Sequence, residues 1–594
     1  MHLRARRATR VTSTAIALTF LLASCGPAAT PTPTATPPPR TPGAAPTATP
    51  TPAGPGGGLP AEVQAIVDRL GIPLFVPGPA EGVPKQGGSV RIRGLEPKSF
   101  DPHAYISYRL RITNSLSHER LMRFDAGPGK SPTTHTVVPS LAESWDIQDN
   151  GTTIVFHLRP GVRWHDKPPV NGREVKASDF VFTYDRALAT EQATVQRNAL
   201  SAVESYEAPD DRTLVFHLKK PSAPFLLQMA RTGVEVLAPE VEKECGNFVT
   251  PECAATGTGP WMFKSFSPGS VAVYQRNPNW WDSGRPHIDE VQLLYFGDER
   301  AEDAAFRSGR LDLLGVETCG ISGERYRALK SSNPEMLYPS FIDPFNRRAV
   351  WLRSDQPPFS DVRVRRAVSM AIDREGWVKS VLGNFGIPFG GYLYPGNPYY
   401  LPEEGYGEAA QYLRYDPDAA KRLLQDAGYK PGDIKVTLQS TTGYGERFAS
   451  EAQLVAEAMN SIGIQTDISM VDYDSFIPVW RDGKWDHVVY TWTGFGFDPV
   501  DWMYVPFHSA QNGQRVLHIN DPELDAVLDR MNAEYDPQLR VGLAQQAARR
   551  IMSQVYVIPG PPWLYFYAQN PRLKNYTYHD SFDIGYPLSF AWLE

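Results

Sequence analysis

The chain has 594 residues, more than one hydrophobic core accommodates, and domain sizes of about 100 to 200 residues point to roughly three units. Its formal charge of −7 comes without a basic stripe, which argues against nucleic acid as a partner. Aromatic residues make up 11% of the chain, and their faces suit peptide side chains, sugar rings and other organic ligands alike.

At the N-terminus, Arg4, Arg6, Arg7 and Arg10 precede a mostly apolar run from Val11 to Leu22 that ends in Leu22-Ala23-Ser24-Cys25. The run is too short to span a bilayer and is laid out like an export signal. Leu-Ala-Ser-Cys resembles a bacterial lipobox, which implies that residues 1–25 are a lipoprotein signal peptide and that Cys25 carries the lipid. An ordinary secretory signal is the alternative. Residues 26–60, rich in Pro and Thr, cannot bury a core and are expected to form a disordered tether, reaching on the order of 100 Å in polyproline-like chain. Cys245 and Cys253 bracket a short loop, and in an exported chain a disulfide is expected there. Cys319 is left over. No Cys-x-x-Cys pair occurs, so neither a structural zinc site nor any other metal or cofactor is expected.

Residues 61–72 carry Val63, Ile66, Val67 and Leu70 on one helical face, and Gly87 to Arg93 alternates like a strand. Ala142 to Trp145 and Thr153 to Leu158 flank Asp149-Asn150-Gly151, where positive φ costs little, so a hairpin is expected, followed by a helix from Ser178 to Leu188. Ile154 to Pro160 is echoed by Leu214 to Pro221, which reads as two strands of one sheet with His157 and His217 facing outward. Thr256 to Trp281 reads as a crossing segment between lobes, shaped by Gly257, Gly259 and Pro260. Ala301 to Leu314 is a helix stopped at Gly309 and then a strand. Val364, Ala367, Val368 and Ala371 mark a buried supporting helix. From Tyr415 to Met470 helices and strands alternate, as in an α/β lobe. A buried strand then ends in the aromatic, glycine-rich run Thr491 to Phe497.

The run "P-S-L-A-E-S-W … D-N-G-T-T … F-H-L-R-P-G-V-R-W-H-D … S-D-F-V-F-T-Y-D-R-A-L" closely resembles the family 5 extracellular solute-binding proteins of ABC importers, which include oligopeptide- and dipeptide-binding proteins. Later segments match in the family's order: "G-T-G-P-W … R-N-P-N-W-W", then "P-P-F-S-D-V-R-V-R-R-A". Arg353 departs from the pattern, standing where the family usually has Asn. The resemblance implies an α/β fold, a two-lobed periplasmic-binding-protein-like clamshell with an additional hairpin-rich domain inserted in the first lobe. Expected boundaries are 61–128, 234–318 and 558–594 for lobe I, 129–233 for the extra domain and 319–557 for lobe II. It also implies lobe closure over a solute and docking on ABC permease subunits, with the protein a lipid-anchored monomer on the extracytoplasmic face of the membrane.

By the same resemblance Tyr105, Ile106, Ser107 and Tyr108 match positions that contact ligand, and Thr491, Trp492, Thr493, Gly494 and Phe495 form the second contact loop. In peptide-binding relatives an Asp in that loop pairs with the peptide's α-ammonium, and here its position is Phe495. A buried ammonium without a partner costs several kcal/mol, which disfavours free-amine peptides unless Asp498 or Asp501 substitutes. Oligosaccharides or other uncharged organic solutes are the alternative to oligopeptides. No GxSxG, HExxH or SxxK motif supports the rival reading as an exported hydrolase, and Gly127 to Ser131 fails as a phosphate loop. A surface sensor on the same fold is the remaining alternative.

Overall fold

The strand Ser89–Arg93 buries Val90 and Ile92 and leaves its alternate residues half-buried, as its pattern requires. It lies inside a six-stranded sheet ordered Ala568–Gln569, Leu313–Leu314, Ser89–Arg93, Glu290–Leu294, Val271–Arg276, Trp261–Ser267. Ser89–Arg93 runs parallel to both of its neighbours, and the other pairs are antiparallel. The computed structural model describes residues 78–594 apart from 104–107, 134, 191–192, 247, 249, 316–319, 343–347, 396–398, 445 and 493–497, and within 1–77 only positions 64, 65, 68 and 74. The expected signal, Cys25, the tether, Cys319 and all but positions 64, 65 and 68 of the 61–72 helix therefore lie outside the described residues; those three are helical.

A second sheet is ordered Gln465–Val471, Lys435–Thr441, Val488–Trp492, Arg348–Leu352, Val557–Pro559. Lys435–Thr441 and Gln465–Val471 are parallel, joined through the helix Glu446–Ser461 in the α/β manner. Every residue of Arg348–Leu352 is buried, and the helix Val362–Ala371 supports this lobe with Val364, Ala367, Val368 and Ala371 in its core. Arg353 is a structural residue here. Its guanidinium bonds the Trp485 carbonyl and the Asp355 carboxylate.

A third, four-stranded sheet is antiparallel throughout: Ala142–Gln148, Thr153–Leu158, Thr213–Leu218, Val203–Glu207. The Asp149-Asn150-Gly151 turn takes φ of 50°, 55° and 92°, the left-handed conformation that Asn and Gly tolerate best. The echoed strands are neighbours, with Ile154 opposite Phe216 and Phe156 opposite Leu214. The helix Ala177–Ala189 follows, and Asp179 in its first turn accepts from the Lys176 amide at 3.0 Å and pairs with Arg173 at 2.8 Å. Cys245, ending the helix Pro239–Cys245, is bonded to Cys253 in Pro251–Ala254.

The chain passes between the first two sheets at two other places than 256–281. Ser340–Ile342 leads from Leu313–Leu314 towards Arg348–Leu352, and Leu564–Phe566 returns from Val557–Pro559 to Ala568–Gln569. The two segments pair antiparallel, Phe341 opposite Tyr565, as a two-stranded ribbon. The expectation of a crossing at 256–281 is thus corrected: Trp261–Ser267 and Val271–Arg276 form a hairpin in the first sheet. Gly257 and Gly259 serve a close approach instead. A Cβ on Gly257 would stand 1.9 Å from the carbonyl oxygen of Ser117, the last residue of the helix Tyr108–Ser117, and the Gly259 amide donates to that same oxygen at 2.9 Å. Gly257→Ala is expected to cost about 1–3 kcal/mol of stability or to block folding, as overpacking does, which urea denaturation followed by tryptophan fluorescence would show as a lowered midpoint.

Candidate functional site: an aromatic ladder across the inter-lobe ribbon

Thr491 and Trp492 end the strand Val488–Trp492, where Ala349 lies opposite Thr491 and Arg348 opposite Trp492. Arg348 is 1% exposed and pairs at 2.5 Å with Glu451, which is fully buried. The helix Glu446–Ser461 turns Phe448, Glu451, Ala452 and Val455 inward together, so one carboxylate sits on an otherwise apolar face. The Tyr490 hydroxyl donates to Glu451 Oε2 at 2.7 Å, and the buried phenol, beside that carboxylate, is held well above its usual range. Among the described residues the Nε and Nη2 atoms of Arg348 have no hydrogen-bond partner. Its guanidinium lies instead over the Trp563 ring, 3.7 Å from the centroid.

From Trp492 a ladder of rings crosses the ribbon. Trp492 stacks on Trp563 at 6.1 Å, Trp563 on Tyr565 at 5.7 Å, Tyr565 leans on Phe341 at 5.6 Å, and Phe341 stacks on Tyr578 at 4.9 Å. Phe341 and Tyr578 belong to the core of the first sheet, whereas Trp492 packs against that of the second. Arg447 also lies 3.7 Å over Trp563. Protein crowds it although its surface is exposed, and burial together with the nearby Arg348 charge lowers its pKa. Arg348 is paired with Glu451, and Arg447 feels the Glu451 and Glu324 carboxylates as well as the Arg348 charge. A cavity of about 540 Å³ adjoins Thr491 and Trp492, walled by Trp351, Trp480 and Tyr473 with Arg515 at its polar side. That is within the usual size range for a small-molecule site.

Next to Tyr578 in the chain are His579 and Asp580, which stand beside His135. Burial, helped by Arg231, holds the His135 imidazole down at about 3, and burial pushes the Asp580 carboxyl up to about 7. The lobes meet nearby. Arg231 pairs with Asp501 at 3.2 Å, and the Tyr535 hydroxyl donates to the Gly151 carbonyl at 3.0 Å while accepting from the Ser222 amide at 3.2 Å.

Of the residues expected from sequence, Thr491 and Trp492 stand at this site, Thr491 buried in the sheet and Trp492 at the head of the ladder. Tyr105, Ile106, Ser107, Thr493, Gly494 and Phe495 lie outside the described residues. Tyr108 begins the helix Tyr108–Ser117, its side chain likewise outside. Asp498 does not substitute for the missing loop Asp: it is 1% exposed and held bidentate by Arg540. Asp501 is engaged by Arg231. Sequence reasoning missed Arg348, Arg447, Glu451 and Trp563. The readable signals are a charge at the head of the apolar run Ala349 to Leu352 and a Glu at helical spacing from Phe448 and Val455.

Arg348→Met, which leaves Glu451 buried and short of its cation, is expected to lower stability by about 3–5 kcal/mol, and Arg348→Met with Glu451→Leu to recover most of it. Guanidinium unfolding of the double-mutant cycle checks this, and additive losses would contradict the pairing.

The profile of the bacterial extracellular solute-binding proteins, family 5, middle region, matches residues 136–514. Di/tripeptide-binding protein 2 of Pseudomonas aeruginosa is 28% identical over 81% of this chain and 90% of its own length. Heme-binding protein A of Haemophilus influenzae is 24% identical over 81% of this chain and 88% of its own. The periplasmic binding protein DppA of Helicobacter pylori, solved with the peptide STSA, superposes with a TM-score of 0.66 at 21% identity, covering 86% of this chain and 99% of that one. Two lobes joined by a paired double crossing, a hairpin-rich sheet set into the first and a profile match spanning well over half of the sequence place this chain in family 5 of the bacterial extracellular solute-binding proteins.

Proposed function

We propose that this chain is the solute-capturing component of a bacterial ABC importer, anchored through a lipid on Cys25, acting as a monomer, and closing its lobes over short peptides or related carboxylate-bearing solutes without altering them. Several relatives are named as peptide-binding proteins. The observation that carries the reading is the ladder's charged end. A solute carboxylate beside Arg447 would meet a guanidinium laid on the Trp563 ring next to Arg348, and charge-assisted hydrogen bonds to such a group are strong. Thr491, Trp492 and, from sequence, Tyr105 to Tyr108 and Thr493 to Phe495 would line the solute's path. Opening and closing would bend the Ser340–Ile342 and Leu564–Phe566 ribbon, and opening would part Arg231 from Asp501, which are paired here.

The amine end differs. Phe495 replaces the acidic partner, and Arg540 occupies Asp498, so recognition would lean on the carboxylate and on ring contacts. The same ladder favours a second reading, an oligosaccharide or other ring-bearing uncharged solute stacked on Trp492, since both Arg348 and Arg447 cover Trp563.

Calorimetry with di- to tetrapeptides and their C-terminally amidated forms separates the two readings. Amidation and Arg447→Met should each weaken peptide binding by about 10–100-fold, the worth of a charge-assisted hydrogen bond. Trp492→Ala should weaken it with little change in the unfolding midpoint. Equal affinity for acid and amide would remove the carboxylate reading, and no heat from any peptide would favour the carbohydrate one.

A further inference from the structure

His135 precedes the strand Val137–Pro139, whereas His579 and Asp580 follow Tyr578 near the chain's end, yet one ligating atom from each of the three lies within 4.8 Å of the others. His135 Nε2 is 2.7 Å from Asp580 Oδ1, and His579 Nδ1 is 3.7 Å from the same oxygen. Phe124 walls the group, stacked at 5.9 Å on His579 and edge-on at 4.8 Å to His135. The Asp580 amide donates to the Pro132 carbonyl at 3.0 Å, and the Ser581 hydroxyl lies 2.8 Å from His579 Nδ1, so backbone and side chain fix the turn. Both imidazoles are buried and the Asp580 side chain is 11% exposed. Among the described residues its carboxylate meets no Arg or Lys, only the two imidazoles. Arg231 is near His135 and is paired with Asp501.

We propose that His135, His579 and Asp580 bind a divalent transition ion of the zinc class at the first-lobe wall of the cleft. Two imidazole nitrogens and one carboxylate oxygen suit zinc, nickel or cobalt, whereas calcium and magnesium prefer oxygen ligands throughout. Ligands at about 2.0–2.2 Å from a tetrahedral ion stand roughly 3.3–3.6 Å apart, so the His135–Asp580 pair opens slightly as His579 draws in. Three protein ligands leave a position for water or for a donor atom of the solute. The expectation of no metal rests on the absence of Cys-x-x-Cys and HExxH spacings and on His157 and His217 read as outward strand residues. A site assembled from residues 135 and 579–580 has no spacing to read.

The test uses untagged, chelator-treated full chain. Titrated with Co²⁺, the wild type should develop the visible absorption of a tetrahedral ion, and mass spectrometry of the inorganic content should find one Zn²⁺ per chain after dialysis. Asp580→Asn and His135→Gln, shown folded by circular dichroism, should lose at least about a hundredfold in Zn²⁺ affinity, more than an outer-shell change costs. Absence of the cobalt spectrum and of stoichiometric zinc in the wild type would overturn the site even if the variants misfold. So would Asp580→Asn binding zinc as the wild type does.

Discussion

Three residues on each side hold the two lobes in register: Ser340–Ile342 against Leu564–Phe566. This pairing is the constraint on which the rest depends, because among the described residues the chain passes from one sheet to the other through the two segments that form it. A ribbon this short satisfies its own backbone groups while being too narrow to resist bending. Its side chains explain how it stays ordered. Phe341, Tyr565 and Phe566 belong to stacks reaching into both lobes, with Tyr326 lying 4.2 Å from Phe566 in parallel. The ribbon thereby also underlies the candidate site.

Electrostatics then divides the site into two unlike ends. At the second lobe a buried Arg–Glu pair, its guanidinium spread on Trp563, stands beside Arg447, a second guanidinium on the same ring. At the first lobe two imidazoles face a carboxylate, an arrangement rich in lone pairs. Between them Arg231 and Asp501 tie the walls together, and Tyr535 links the second lobe to the Gly151 turn of the inserted sheet. The elements whose sequence marks the family most plainly thus contribute to the cleft's rim as well as to its scaffold.

Much of this architecture was legible in the sequence, and the reason is local. Turn chemistry at Asp149-Asn150-Gly151, alternation in Ser89–Arg93 and helical spacing in Val362–Ala371 each act over a few residues, and each element formed as its pattern implied. The crossing was misplaced because the glycines at 257 and 259 look like a joint, while their purpose is the approach of the Ser117 carbonyl, a contact that no neighbouring residue announces. The ladder is largely hidden for the same reason: Trp492, Trp563, Tyr565, Phe341 and Tyr578 come from three stretches of chain, and only Trp492, at a strand end and in a segment resembling the family's contact loop, stands out in the sequence. Arg348 and Glu451 were visible as charges on apolar faces. Their partnership required the fold.

The central claim is that solute binding closes two lobes about the Ser340–Ile342 and Leu564–Phe566 ribbon. Small-angle X-ray scattering of the unfolded and refolded, solute-free chain, before and after addition of a peptide shown by calorimetry to bind, tests it most directly. The account predicts a smaller radius of gyration and maximum dimension with the solute bound. Saturating binding with an unchanged scattering curve would contradict it.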